Sequence, residues 1–245
     1  MRLLPKEAFA HVITPLQGKR IGFVRPGGNV GDDLIEQGMR QLFDEYGIQW
    51  RIHDPNSPAD DLDELVFGGG GNMGTMYRPN WVLREQCLAT GRPLTVLPQS
   101  WTSPEDRQFH RVYVRERKSL ALASNGILAP DLALGLDFTT DVEPIRKRGV
   151  FLRKDKESVI TGRWWRRDPI RLCRTPREYL ELAARYEHVV TDRLHFAICS
   201  MIVGRRTTLL PNSYHKNIGM FETWLGSLGC EFAGSLSQAL RRTAA

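Results

Sequence analysis

Short apolar runs alternate with glycine-rich turns and helix-period segments through the first half of the chain, and few folds other than a layered α/β protein accept that order. Residues 20–25 (RIGFVR) read as a strand, 26–31 as a turn, and 33–46 as an amphipathic helix with Leu34, Ile35, Met39, Leu42 and Phe43 on one face. Strands follow at 48–53 and 65–67, the latter running into Gly68–Gly71. A helix is expected near 81–89, then a strand at 94–97 stopped by Pro98, a strand at 112–114, a helix over 118–124 and a strand at 127–129.

Apolar density falls and charges accumulate over 137–148, which places a boundary there. Beyond it, residues 149–153 (GVFLR) restart the pattern. A helix at 176–186, a strand at 188–191, a helix at 194–203, a strand at 207–210 and a helix at 216–228 complete it. The expected architecture is α/β, with two Rossmann-like halves facing a cleft in the GT-B manner. The expected domains are 1–140 and 141–245, the second reduced.

Charge narrows the function classes. The 245 residues carry 34 Lys and Arg against 28 Asp and Glu, a net of +6. Residues 146–177 alone hold 12 basic and 3 acidic side chains, so the rest of the chain is slightly acidic. Such a segment suits nucleic acid, an anionic membrane face or an anionic small substrate, and it is equally a solvated loop. No run approaches the roughly 18 apolar residues of a spanning helix. The opening residues, with Lys6, Glu7 and His11, lack a signal-peptide core. Cys87, Cys173, Cys199 and Cys230 are scattered without metal-ligand spacing, so reduced core thiols and a cytoplasmic protein without a metal are expected.

Several places carry residues suited to chemistry. Gly27-Gly28-Asn29-Val30-Gly31-Asp32 lies between a strand and a helix, where backbone N–H groups and a helix terminus can meet an anion. It matches neither nucleotide-binding glycine motif, and Asp32 or Asp33 can equally cap the helix. Gly68–Gly71 with Asn72 is costly in chain entropy, so something must come close to that backbone: a ligand near Gly70, Gly71 and Asn72, or a packed neighbour. Gln99 and Ser100 end one strand and Arg115 ends another; Arg115 can hold an anion or pair with Glu116. Val189–His195 (VVTDRLH) puts Arg193 and His195 on the first turn of a helix that Thr191 or Asp192 caps. His215 and Lys216 stand at the next strand-to-helix junction. Trp164-Trp165-Arg166-Arg167 stacks on a ring or pins a loop.

Taken in order, GGNVGDDLI (27–35), GGGGNMG (68–74), LPQS (97–100), VRERKS (114–119), APDLAL (129–134), VVTDRLHFAI (189–198) and Tyr214-His215-Lys216 resemble the polysaccharide pyruvyltransferase family. The resemblance implies a GT-B-like fold and transfer of a pyruvyl group from phosphoenolpyruvate to a sugar as a ketal, with no cofactor. It carries a donor-site role to Arg193, Leu194 and His195, and a substrate role to Arg115. The acceptor it implies is a sugar or lipid-linked oligosaccharide, met in the cytoplasm or peripherally at the inner face of the membrane.

The donor's chemistry agrees with these residues. Phosphoenolpyruvate brings a phosphate and a carboxylate, which call for fixed cations and oriented N–H donors. Ketal formation needs a proton delivered to the methylene carbon, for which His195 is the expected group. Two other readings stand beside this one: a GT-B glycosyltransferase with a nucleotide-sugar donor, and a non-catalytic polyanion binder built on residues 146–177. Nucleic acid is not the expected partner.

Overall fold

The structure, a computed structural model, describes residues 2–160 and 166–241, so Trp164 and Trp165 lie outside the described residues. These fall into two compact units. One comprises residues 4–28 and 35–135; the other comprises 2–3, 29–34 and 136–241.

Seven strands form the sheet of the first unit: β1 (Arg20–Val24), β2 (Gln49–Ile52), β3 (Glu64–Phe67), β4 (Gly70–Met73), β5 (Leu94–Trp101), β6 (Arg111–Val114) and β7 (Gly126–Leu128). Their order is β2-β1-β3-β5-β6-β7, with β4 alongside β5, and every pairing is parallel. A parallel sheet covered on both faces needs strands apolar on both sides. Accordingly β3 and β5 are buried at every residue, whereas β2, at the edge, is mostly exposed. The helices are α1 (Ala10–Ile13), α2 (Val30–Glu45), α3 (Arg78–Ala89) and α4 (Arg117–Leu120). Helix α2 buries Leu34, Ile35, Met39, Leu42 and Phe43. On its buried side, a Cβ on Gly38 would lie 2.3 Å from the Leu132 carbonyl oxygen, so only glycine admits that backbone.

Several local expectations change for identifiable reasons. Strand β5 does not stop at Pro98 but runs through to Trp101. The missing N–H of Pro98 falls where the β5–β6 register shifts, between Val96 and Gln99, so no ladder bond is forfeited. The four-glycine run is not a plain loop: its second half is β4, with Gly70 beside Gln99 and Met73 beside Trp101. Helix α2 begins at Val30 because Asn29 and Asp32 form a reciprocal cap. Asn29 Oδ1 accepts the Gly31 N–H (2.9 Å) and Asp32 Oδ2 accepts the Asn29 N–H (2.8 Å).

In the second unit, β8 (Arg146–Phe151), β9 (Tyr186–Thr191), β10 (Arg206–Leu209) and β11 (Glu231–Phe232) form a four-stranded parallel sheet in the order β11-β10-β9-β8. Its helices are α5 (Pro176–Ala184), α6 (Leu194–Ile202), α7 (Lys216–Met220) and α8 (Leu236–Arg241). Apart from His195, α6 is buried all round, as a helix apolar on every side must be. The rings of Phe151, Tyr179, Tyr186 and Phe196 pack edge-on or tilted at 4.7–5.2 Å. Tyr186, expected to end α5, therefore opens β9 instead. The helix expected over 216–228 is α7 followed by a π-turn at Phe221–Leu225. Both units are thus parallel α/β and compatible with Rossmann-like folds.

Candidate active site

In open parallel sheets, ligands bind outside the carboxyl ends of the strands, at the point where the strand order reverses. In the first sheet the chain leaves β1 for β2 on one side and returns to β3 on the other, so the switch point lies between β1 and β3. The loops that follow these two strands are the two glycine segments. Gly27, beside Gly28, is clasped by Asn80, whose side chain accepts the Gly27 N–H (2.8 Å) and donates to its carbonyl (3.0 Å).

The second glycine segment is held from beneath by Gln99. Its Oε1 accepts the Asn72 N–H (2.9 Å) and its Nε2 donates to the Gly68 carbonyl (2.5 Å). A Cβ on Gly68 would meet Pro26 at 2.6 Å, and one on Gly69 would meet the Pro98 carbonyl oxygen at 3.1 Å. Close packing within the unit therefore explains these two glycines. Gly70 differs: its φ of 138° is open to glycine alone, which allows β4 to turn alongside β5 beside Gly71. Asn72 is buried, and its Nδ2 has no hydrogen-bond partner among the described residues.

Arg115 follows β6 and is only 1% exposed. Its Nη1 pairs with Asp131 (2.7 Å) and its Nε donates to Ser100 Oγ (2.8 Å), which in turn donates to Glu116 (2.8 Å). Ser119 joins Glu116 and also accepts the Trp101 N–H at 2.8 Å. Arg115 is thus engaged within the unit through Nε and Nη1, and Glu116 lies 3.8 Å from its Nε. Its charge is balanced inside the unit, and it braces the ends of β5 and β6.

The second unit gathers more charge. Arg193 is the N-cap residue of α6, its N–H bonded to Thr191 Oγ1 (3.0 Å); neither Thr191 nor Asp192 is the cap residue itself. The Arg193 guanidinium grips Asp168 through Nε (3.0 Å) and Nη2 (2.7 Å), and Nη2 also meets Asp155 at 2.8 Å. Burial disfavours its charge, but the hydrogen bonds and charges of Asp168 and Asp155 outweigh that and raise its pKa above the ordinary value. Arg153, just beyond β8, pairs with Asp155 (2.8 Å) and Glu157 (2.6 Å). Glu157 Oε2 also takes Lys216 Nζ (2.5 Å) and Asn212 Nδ2 (3.1 Å). Asn217 Nδ2 donates to the carbonyls of Asp192 (2.9 Å) and Leu210 (2.8 Å), tying the ends of β9 and β10 together.

This cluster holds Arg193 and Lys216 in one network and sets half-buried His195 on the first turn of α6 beside Leu194. His215 lies at the start of α7, its ring 5.5 Å from that of Tyr214. Asp155, Glu157, Asp168, Arg153 and Asn217 escaped the reading of the sequence. Asp168 lies 25 residues from the arginine it holds, and only the acidic exceptions within the basic segment hinted at them. With Glu157 and Asp168 turned inward, the exposed charges described in that segment are mostly cationic, Arg146, Lys147, Lys154, Lys156, Arg171 and Arg174 among them, while Asp155 is exposed but paired. Arg166 Nη1 pins its own loop through Ser158 (2.9 Å) and the Ile160 carbonyl (2.7 Å). Among the described residues no group of three or more His, Cys, Asp or Glu could hold a metal ion, and no helix is long and apolar enough to cross a membrane.

Comparison with known proteins addresses what such a site serves. A crystal structure of a functionally uncharacterised protein from Klebsiella pneumoniae subsp. pneumoniae NTUH-K2044 superposes with a TM-score of 0.72 at 22% identity, covering 94% of this chain and 98% of that one, which supports the fold. The Bacillus subtilis (strain 168) protein named "Putative pyruvyl transferase EpsO" is 27% identical over 81% of this chain and 82% of its own length. General stress protein 30 of the same organism is 26% identical over 68% of this chain and 62% of its own length. The model of the polysaccharide pyruvyl transferase family matches residues 29–214, from the cap of α2 to the tyrosine before α7. That span is well over half of the sequence and includes Arg115, Arg193 and His195, and on it the chain belongs to the polysaccharide pyruvyl transferase family of transferases.

Proposed function

We propose that the chain transfers the pyruvyl group of phosphoenolpyruvate to two hydroxyls of a sugar, as a ketal, in the building of a polysaccharide. The observation that carries this reading is the pairing of a rigidly clamped Arg193 with His195 across the β9–α6 junction, inside the segment matched by the family model. Asp168 and Asp155 occupy Nε and Nη2 of Arg193, which fixes the plane of the guanidinium and leaves Nη1 as the edge for a donor oxygen. Lys216, held by Glu157, supplies further positive potential.

In this mechanism His195 delivers a proton to the methylene carbon of the donor, making its C2 electrophilic. One sugar hydroxyl adds at C2 and loses its proton, the C2–O bond to phosphate breaks, and the second hydroxyl closes the ketal. Of the two hydroxyl protons, one ends on the new methyl group by way of His195 and the other leaves with inorganic phosphate, so charge and atoms balance. Arg115 acts as a positioning residue for the ends of β5 and β6. Gly28, Asn29 and Asp32 set the first glycine segment, Gly70, Gly71, Asn72, Gln99 and Ser100 set the second, and His215 is a further substrate-binding candidate. The acceptor is a sugar or lipid-linked oligosaccharide, approached by the exposed cations of residues 146–177.

Titration calorimetry with phosphoenolpyruvate and with a panel of nucleoside diphosphates and nucleotide sugars tests the donor. Phosphoenolpyruvate should bind in the micromolar to millimolar range usual for enzyme substrates, and the nucleotides should not. Tight binding of a nucleoside diphosphate with none of phosphoenolpyruvate would replace this reading with a glycosyltransferase.

A further inference from the structure

One buried acid in the strand-end cluster has no task in the mechanism above. Asp192 is fully buried at the end of β9. Its Oδ1 accepts the Arg153 N–H at 2.8 Å, while its Oδ2 is shut away from solvent with no hydrogen-bond partner among the described residues. A buried carboxylate oxygen without a donor is costly in the ionised state, and the same oxygen carrying a proton is far cheaper to bury. Burial raises the pKa of Asp192 to about 6, against the opposing pull of the Arg153 N–H and the charges of Arg153 and Arg193.

The charges around it give that proton a consequence. Arg153 faces it from the end of β8 and Arg193 from its own junction. Behind them stand Asp155, Glu157 and Asp168, Lys216 is held through Glu157, and from α7 the neutral Asn217 amide meets the Asp192 carbonyl. Three cations, Arg153, Arg193 and Lys216, thus face three carboxylates, Asp155, Glu157 and Asp168. The six groups sum to zero. An ionised Asp192 makes the cluster negative, which opposes an anionic donor; a protonated one leaves it neutral.

We propose that Asp192 is a positioning residue of the donor site, carrying a proton on Oδ2 whenever the anionic donor is bound and releasing it as the site empties at neutral pH. This rests on the reading that phosphoenolpyruvate binds at the β9–α6 junction. Binding is then coupled to proton uptake by the protein, and affinity falls as pH rises through the titration of Asp192. Asp192→Asn keeps the shape of the neutral acid and removes the coupling.

The test is calorimetry of phosphoenolpyruvate binding to the full chain between pH 5.5 and 8, in buffers of different ionisation enthalpy, for the wild type and Asp192→Asn. The donor's own phosphate titration is common to both proteins, so the difference reports Asp192. The wild type should take up extra protons on binding and lose about tenfold more affinity per pH unit above 6 than the variant does. Equal proton counts and equal slopes in the two proteins would overturn the inference while leaving the donor assignment intact. Absence of phosphoenolpyruvate binding in both would instead bring down the reading on which it rests. Should Asp192→Asn fail to fold, infrared difference spectra of the wild type decide. A protonated-carboxyl band titrating near pH 6 and enhanced by the donor is expected, and a spectrum without one overturns the proposal.

Discussion

Replacing Arg193 by alanine is expected to cost the fold about 3–5 kcal/mol, the usual penalty for removing one partner of a buried ion pair. Asp168 is 3% exposed and receives two hydrogen bonds from Arg193. Without them its remaining side-chain partner among the described residues is the Lys154 N–H at 2.9 Å, and a buried carboxylate is left largely uncompensated. In a chain of this size that loss lowers Tm by about 6–20 °C, and urea unfolding at pH 7 measures it directly. Arg193→Lys should recover only part, because an ammonium cannot bridge both oxygens of Asp168. The double change Arg193→Met with Asp168→Leu should unfold later than Arg193→Ala, since it removes both charges. A loss below about 1 kcal/mol for Arg193→Ala would contradict the clamp. It follows that lost activity in Arg193→Ala says little about catalysis unless folding is measured alongside it.

His195 presents the opposite balance. It is half-buried on an otherwise buried helix, so His195→Ala should leave most of the stability intact. Turnover should fall by about 100- to 10,000-fold if His195 delivers the proton to the methylene carbon. Most of that loss should appear in kcat, because in the proposed mechanism the donor's anionic groups are held by other residues. The comparison is with His215→Ala under the same conditions, which should lose less than His195→Ala. Wild-type turnover in His195→Ala together with an inactive His215→Ala would exchange the roles of the two histidines.

Much of the first unit is legible in the sequence because each strand is a short apolar run and each turn is marked by glycine. The parallel α/β architecture follows from that alternation alone. The departures have particular causes. Pro98 reads as a stop because a proline cannot donate to a ladder, yet here the ladder shifts register at that residue, and no sequence pattern announces such a shift. Half of the four-glycine run is strand because Gln99 staples it from β5, and the reach of one glutamine side chain cannot be read from spacing.

The candidate site shows a similar division. Arg193, His195 and Lys216 stand out as polar residues at strand-to-helix junctions, a purely local signal. Whether an arginine is offered to a ligand or spent on a neighbour depends on distant residues. Arg115 meets Asp131 from 16 residues away, and Arg193 meets Asp168 from 25. The basic segment from Arg146 to Arg177 likewise hides its structure in its exceptions. Glu157 and Asp168 turn inward and build the cluster, while most of the cations remain at the surface.

The most direct test of the central claim is product formation. The full chain would be incubated with phosphoenolpyruvate and a panel of model and lipid-linked galactosides, glucosides and mannosides, with inorganic phosphate release measured against the formation of a pyruvylated sugar. The account predicts acceptor-dependent phosphate release with at least one member of the panel, one phosphate per ketal formed, and its loss in His195→Ala. Release of no phosphate with any acceptor, from protein shown to be folded and to bind phosphoenolpyruvate, would contradict it.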